Sequence, residues 1–153
     1  MGRLKDLISA AQSGKDIQQR LYGKFPLEIA EICGPEEVKD ILLRLQELSE
    51  EKENIEEWDG DSQDDIWRAQ KNFSELLQLL VGKYPKEVAL GLKSHSQEAR
   101  FWVANAFEKS PSPHVVADLA EYLLGEMPEW HRKTGAAALK ACKAKRGIFG
   151  RWF

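Results

Sequence analysis

Two ten-residue strings in the second half of the chain correspond at an offset of 32 residues: Ala99-Arg100-Phe101-Trp102-Val103-Ala104-Asn105-Ala106-Phe107-Glu108 and His131-Arg132-Lys133-Thr134-Gly135-Ala136-Ala137-Ala138-Leu139-Lys140. They share an arginine, small-residue positions and a closing large apolar position. Leu92 falls on Leu124 at the same offset, which carries the correspondence into the preceding helices. A period of 20 to 50 residues built from two helices points to stacked pairs, each burying its apolar face on its neighbours. Few other folds accept such a pattern.

Composition agrees with helices. Ala, Leu, Glu, Lys, Arg and Gln supply 80 of the 153 residues, whereas Val, Ile and Thr together supply 15. That balance disfavours sheet, and the length suits one domain spanning 1–153. Gly and Pro divide the chain into short helices. Candidates lie at 3–12, around Ile17 and Leu21, and from Pro26 to Gly34. An amphipathic helix follows Pro35, carrying Val38, Ile41, Leu42, Leu45 and Leu48 on one face and Glu36 and Glu37 in its first turn, where the helix dipole favours acids. The next helix carries Ile66, Phe73, Leu76, Leu77 and Leu80, with Gly82 past its end. Further helices are expected near 85–94, 97–109, 113–125 and 129–142. Connections this short favour antiparallel neighbours.

The two aligned strings resemble the second helix of a HEAT repeat: an apolar residue, Arg, two variable positions, then small residues and a closing Leu. The resemblance implies a short right-handed α-solenoid of antiparallel helix pairs, with repeats at 85–109 and 113–142. His131 stands where an apolar residue is usual, giving the last repeat the look of a cap. Upstream, a 32-residue register aligns Arg68 with Arg100 but puts Lys71 and Glu75 at core positions. A 33-residue register instead aligns Ile66 and Phe73 with Ala99 and Ala106, and is preferred because burying charge costs more than losing one arginine.

In such a solenoid Arg100 and Arg132 either bond to neighbouring turns or contact a ligand. Phe101 and Trp102 fall on the two variable positions, which tend toward the concave surface, with Lys133 and Thr134 as their counterparts. Trp102 has a second reading as core. Phe101, Asn105 and Glu108 share a helix face at i, i+4 and i+7 and are surface candidates for partner binding, with Ala99, Val103 and Ala106 facing the core. Tryptophan and arginine are frequent anchors of protein interfaces.

Charge is uneven along the chain. Net charge is −3, yet residues 47–65 contain ten acids, Glu56 and Glu57 among them, against Lys52 alone. This run is either a solvated face or a docking surface for a basic protein partner. After Glu129 the last 24 residues contain seven Lys or Arg and no acid. Their end, 143–153, alternates cations with Ile148, Phe149, Trp152 and Phe153, and its two glycines argue against a continuous helix. It reads as a basic-aromatic C-terminal arm that folds back to cap the last repeat, or that touches a membrane or nucleic acid.

No catalytic signature emerges. Ser13-Gly14-Lys15-Asp16 lacks the first glycine of a phosphate loop and its hydroxyl. The segment from Asp59 resembles a calcium loop but has Asp64 at the glycine position and Gln70 at the final glutamate position. His95, His114 and His131 have no metal-ligand spacing with one another or with Cys33 and Cys142, and read as turn or helix-end residues. The cysteines read as reduced, buried small hydrophobes of a cytoplasmic protein, and no apolar run is long enough for a membrane span. The function expected is therefore a non-enzymatic protein-binding module, an adaptor or an inhibitor of the immunity type, needing neither metal nor cofactor. The alternative is nucleic-acid binding, as in the HEAT-like DNA alkylation repair glycosylases, against which the acidic net charge stands. A helper resembling the phycobilin lyases ranks third.

Overall fold

The structure, a computed structural model, describes the backbone of residues 31, 33–55, 58 and 60–152. Side chains are described within this set except at 61, 62, 65 and 146–152. The helices expected at 3–12 and around Ile17 fall outside it; of the one expected from Pro26 to Gly34, Glu31 is described and helical, and Cys33 and Gly34 are described and not helical.

Six α-helices and two 3-10 turns follow one another, and no strand occurs among the described residues. They are α1 (Pro35–Glu53), α2 (Gly60–Val81), α3 (Pro85–Ala89) continued by a 3-10 turn (Leu90–Lys93), α4 (Gln97–Lys109), a 3-10 turn (Pro113–Val115) leading into α5 (Val116–Tyr122), and α6 (Glu129–Trp152). The described residues are thus all-α, in agreement with the composition.

Local chemistry accounts for the boundaries. Pro35 opens α1, where the Gly34 amide donates to Glu37 Oε2 at 3.2 Å. Ser96 caps α4 by accepting from the Ala99 amide at 3.2 Å. Two elements are shorter than their spacing suggests. The helix beginning at Pro85 tightens after Ala89, and Gly91 sits so close to its neighbours that a Cβ there would lie 2.5 Å from Val103 Cγ2 and 2.7 Å from Leu42 Cδ2. Helix α5 ends at Tyr122 rather than 125, where Leu124 and Gly125 donate back to Glu121 and Tyr122 in tight turns. One element is longer. Helix α6 runs through both glycines to Trp152, so the backbone of 143–152 continues the helix that the glycines were expected to interrupt. Helical propensity in the Ala/Lys-rich stretch before them carries the chain past two residues that each cost about 1 kcal/mol.

The helices pack in two rows. In one, α2 lies against α4 and α4 against α6; in the other, α1, α3 and α5 flank these helices, with α1 against α2 and α5 against α6. One core runs between the rows. It includes Val38, Ile41 and Leu45 of α1, Phe73, Leu77 and Leu80 of α2, Val88 of α3, Val103 and Phe107 of α4, Leu119 of α5 and Ala138 of α6. Buried polar groups join the helices as well. Gln70 Nε2 donates to Ser49 Oγ at 3.1 Å, linking α2 to α1, and Ser49 in turn donates to the Leu45 carbonyl.

The aligned strings show matching burial at most inward positions. Ala99 and His131, Val103 and Gly135, and Ala106 and Ala138 are all buried. Gly135 fits because the Tyr122 ring lies where a Cβ would stand, 2.8 Å from Tyr122 Cε2. Both arginines bond backwards to the preceding turn, Arg100 to the Ser94 carbonyl at 2.6 Å and Arg132 to the Leu123 and Gly125 carbonyls at 2.8 and 2.9 Å. The preceding helices match less well. Leu92 is buried, whereas Leu124 is 87% exposed, because α5 ends before reaching it.

Candidate functional site

The α2–α4–α6 row presents an open groove of about 810 Å³. Helix α2 contributes Trp67, Lys71, Glu75, Gln78 and Leu79, spaced to lie on one face. Helix α4 contributes Glu98, Phe101, Trp102, Asn105 and Lys109 at i, i+3, i+4, i+7 and i+11. Trp130 of α6 and Lys52 of α1 complete the lining. At a rise of about 1.5 Å per residue the lined face is about 17 Å long.

Aromatic rings form its wall. Phe101 packs edge to face on Trp102 at 5.3 Å, meets Trp130 at 4.8 Å and stacks on His131 at 4.7 Å; Trp67 meets Trp102 edge-on at 6.2 Å. Such ring pairs contribute about 0.5–1.5 kcal/mol each beyond their burial, so the wall is ordered by its own contacts. Trp67 is nonetheless 45% exposed, Trp130 58% and Leu79 39%. Large apolar groups gathered at one open groove mark an interaction surface more strongly than the same groups scattered.

Polar groups brace the floor. Ser74 donates to the Trp102 carbonyl at 2.9 Å, and Asn105 Nδ2 donates to Ser74 Oγ at 3.2 Å, joining α2 to α4 beneath the rings. Lys52 pairs with Glu98 at 2.5 Å and ties α1 to α4 at one end of the groove, while Lys71 sits 5.6 Å from the Trp67 ring centre. The lining thus holds three lysines and two glutamates, so its charge is mixed.

The predicted binding residues separate into groups. Phe101, Trp102 and Asn105 come together in the groove, with Trp102 buried and the other two half-buried. Trp102 therefore satisfies both of its readings. Its ring is core, and one edge of it lines the groove. Glu108 is half-buried on α4 outside the lining, and Lys133 is exposed on α6, also outside it. Glu56 and Glu57 lie outside the described residues. Two residues in the described part of the acidic run reach the start of α4: Lys52 pairs with Glu98, and Glu53 accepts from Ser96 Oγ at 3.2 Å.

Sequence reasoning missed Trp67, Leu79, Trp130 and His131. A signal for Trp67 existed, because the 33-residue register that removes Lys71 and Glu75 from the core leaves Trp67 and Lys71 one turn apart on the same outward face. Trp130 and His131 gave none, because their place beside Phe101 depends on the packing of α6 on α4. From Gly60 onward the calcium-like segment is helical, and Gln70 is buried against Ser49 rather than turned toward a loop centre. Both cysteines are buried; Cys33 is pushed up to about 11 by burial and by Glu37, and the Cys142 sulfur accepts from the Ser112 amide at 3.4 Å. Among the described residues no helix is long and apolar enough to cross a membrane. No family model matches the sequence, and no match is found for it among curated proteins or solved structures.

Proposed function

We propose that this protein is a non-enzymatic protein-binding module, a short HEAT-like solenoid that takes a segment of a protein partner into the aromatic groove. The observation that carries this reading is the convergence of Trp67, Phe101 and Trp130 on one open groove of about 810 Å³. Aromatic groups left partly exposed on ordered helices are suited to act as anchors once a partner excludes water from them. The matched burial at 32-residue spacing, the two rows of helices and the backward-bonding arginines support the solenoid part of the reading. The acidic run beside α1 would attract a basic partner over distance, as an adaptor or an immunity-type inhibitor would need. A reducing cytoplasm fits the two buried free thiols.

Capture from the native host tests it. A tagged protein should retain one stoichiometric partner, Phe101→Ala and Trp130→Ala should each lose it, and Leu124→Ala, at an exposed site outside the groove, should keep it. Retention undiminished by both groove variants would overturn the reading. One observation favours nucleic acid as the second candidate: Lys52, Lys71 and Lys109 stand among the rings, the combination that grips single strands. Steeply salt-dependent binding of a single-stranded oligonucleotide, lost in Lys71→Ala and Lys109→Ala, would put that reading first.

A further inference from the structure

His131 stands behind the groove wall, packed against two of its rings, Phe101 and Trp130. It lies in the first turn of α6, is 3% exposed, and neither ring nitrogen has a hydrogen-bond partner. Its ring is stacked on Phe101 at 4.7 Å with an interplanar angle of 24°, and is edge-on to Trp130 at 4.0 Å. A neutral imidazole still carries one donor and one acceptor, whereas a charged one carries two donors. The seat therefore holds the neutral ring at some cost and the charged ring at a much greater one.

The charged groups across from it are already committed. Across from it on α4, Glu98 is held by Lys52 of α1 at 2.5 Å, and Arg100 is bonded to the Ser94 carbonyl. On its own helix Arg132 is bonded to the Leu123 and Gly125 carbonyls, Glu129 is exposed, and Glu126 in the preceding turn is exposed as well. Glu98, the carboxylate whose field reaches His131, could receive an imidazolium only by breaking its pair with Lys52, and Glu126 and Glu129 lie out in water.

We propose that His131 is a proton-operated latch on the groove. Neutral, it holds Phe101 and Trp130 in the arrangement that forms the wall; protonated, it leaves its seat for water, the wall loosens, and binding weakens in acid. The inference rests on the groove being the binding site for its consequence, though not for the latch itself. Burial lowers the proton affinity of His131 from its ordinary value of 6.5, Glu98 opposes this and Arg100 adds to it. The unfolded chain then binds the proton more readily than the folded one. This contribution to stability is complete above pH 6.5 and drains away as pH falls from 6.5 toward the folded-state value.

A pH titration of the full chain followed by NMR tests the latch without any partner. The His131 ring signals should move with a midpoint below 6.5, and the Phe101 and Trp130 ring signals should move with that same midpoint. The indole of Trp58, 83% exposed and outside the groove lining, should not follow it. His131→Phe should remove the shared midpoint from Phe101 and Trp130. A His131 midpoint at or above 6.5 overturns the proposal, and so do wall rings that stay still while His131 titrates; the unmodified protein alone suffices for both. Should Phe101→Ala and Trp130→Ala keep the captured partner while the shared midpoint is found, the binding reading fails and the latch stands.

Discussion

Helices α4 and α6 share an arginine and matching inward positions, yet α4 gives five residues to the groove and α6 gives one, Trp130. Ala99, Val103 and Ala106 correspond in burial to His131, Gly135 and Ala138. At the outward positions the two differ. Phe101 and Asn105 of α4 are half-buried in the groove, while Lys133 is exposed and Ala137, at the place of Asn105, is exposed too. Positions facing the core answer to packing density, which admits few side chains. Positions facing water answer only to what they must bind. The difference between two helices of similar pattern therefore locates the site more sharply than either helix does alone.

The largest effect should come from the closing apolar position. Phe107 is fully buried and its counterpart Leu139 is half-buried, so Phe107→Ala should cost about 3–5 kcal/mol and Leu139→Ala about 1–2 kcal/mol in denaturant unfolding. Equal costs would mean that α6 is packed as tightly as α4. The arginines come next. Arg132 makes two backbone hydrogen bonds and Arg100 one, and with about 1.5–3 kcal/mol for a bond to a charged group, Arg132→Ala should destabilise more than Arg100→Ala, by unfolding midpoint. The reverse order would give Arg100 a larger structural role than its single bond indicates.

Binding sharpens the comparison further. Phe101→Ala should weaken the captured complex by about 2 kcal/mol with little dependence on salt, whereas Lys133→Ala at the corresponding position should change it by less than about 0.5 kcal/mol. Reversing Glu56 and Glu57 to Lys should slow association, and adding salt should shrink that effect. The smallest predicted effect is local. Ser96→Ala removes the α4 cap and its bond to Glu53, and should lower stability by about 1 kcal/mol with the partner affinity unchanged.

Some of this was legible before any fold existed. The spacing of Val38, Ile41, Leu45 and Leu48 names the buried face of α1, and the bounds of α4 at 97 and 109 follow from Ser96 and from Ser110-Pro111. Phe101 and Asn105 could be placed together from spacing, at i and i+4 on the face opposite Ala99, Val103 and Ala106; Glu108, grouped with them, falls outside the groove lining, and spacing leaves Trp102 open between core and surface. Other features were misread for identifiable reasons. The glycines at 147 and 150 suggested a break that local propensity overrides, and Leu124 was matched to Leu92 by arithmetic alone, although a tight turn turns it out to water.

What the sequence by itself determined is the helical class, the division into helices by Gly and Pro, and which face of each helix is apolar. These depend on contacts within a few residues, where periodicity and capping are complete information. Only the tertiary structure decided that Trp67, Trp102 and Trp130 from three helices share one wall, and that His131, a helix-end residue by its position, is sealed against Phe101. Ring contacts between residues about 30 positions apart depend on how one helix crosses the next. That crossing is set by the fit of many side chains at once, which no short stretch of the chain contains.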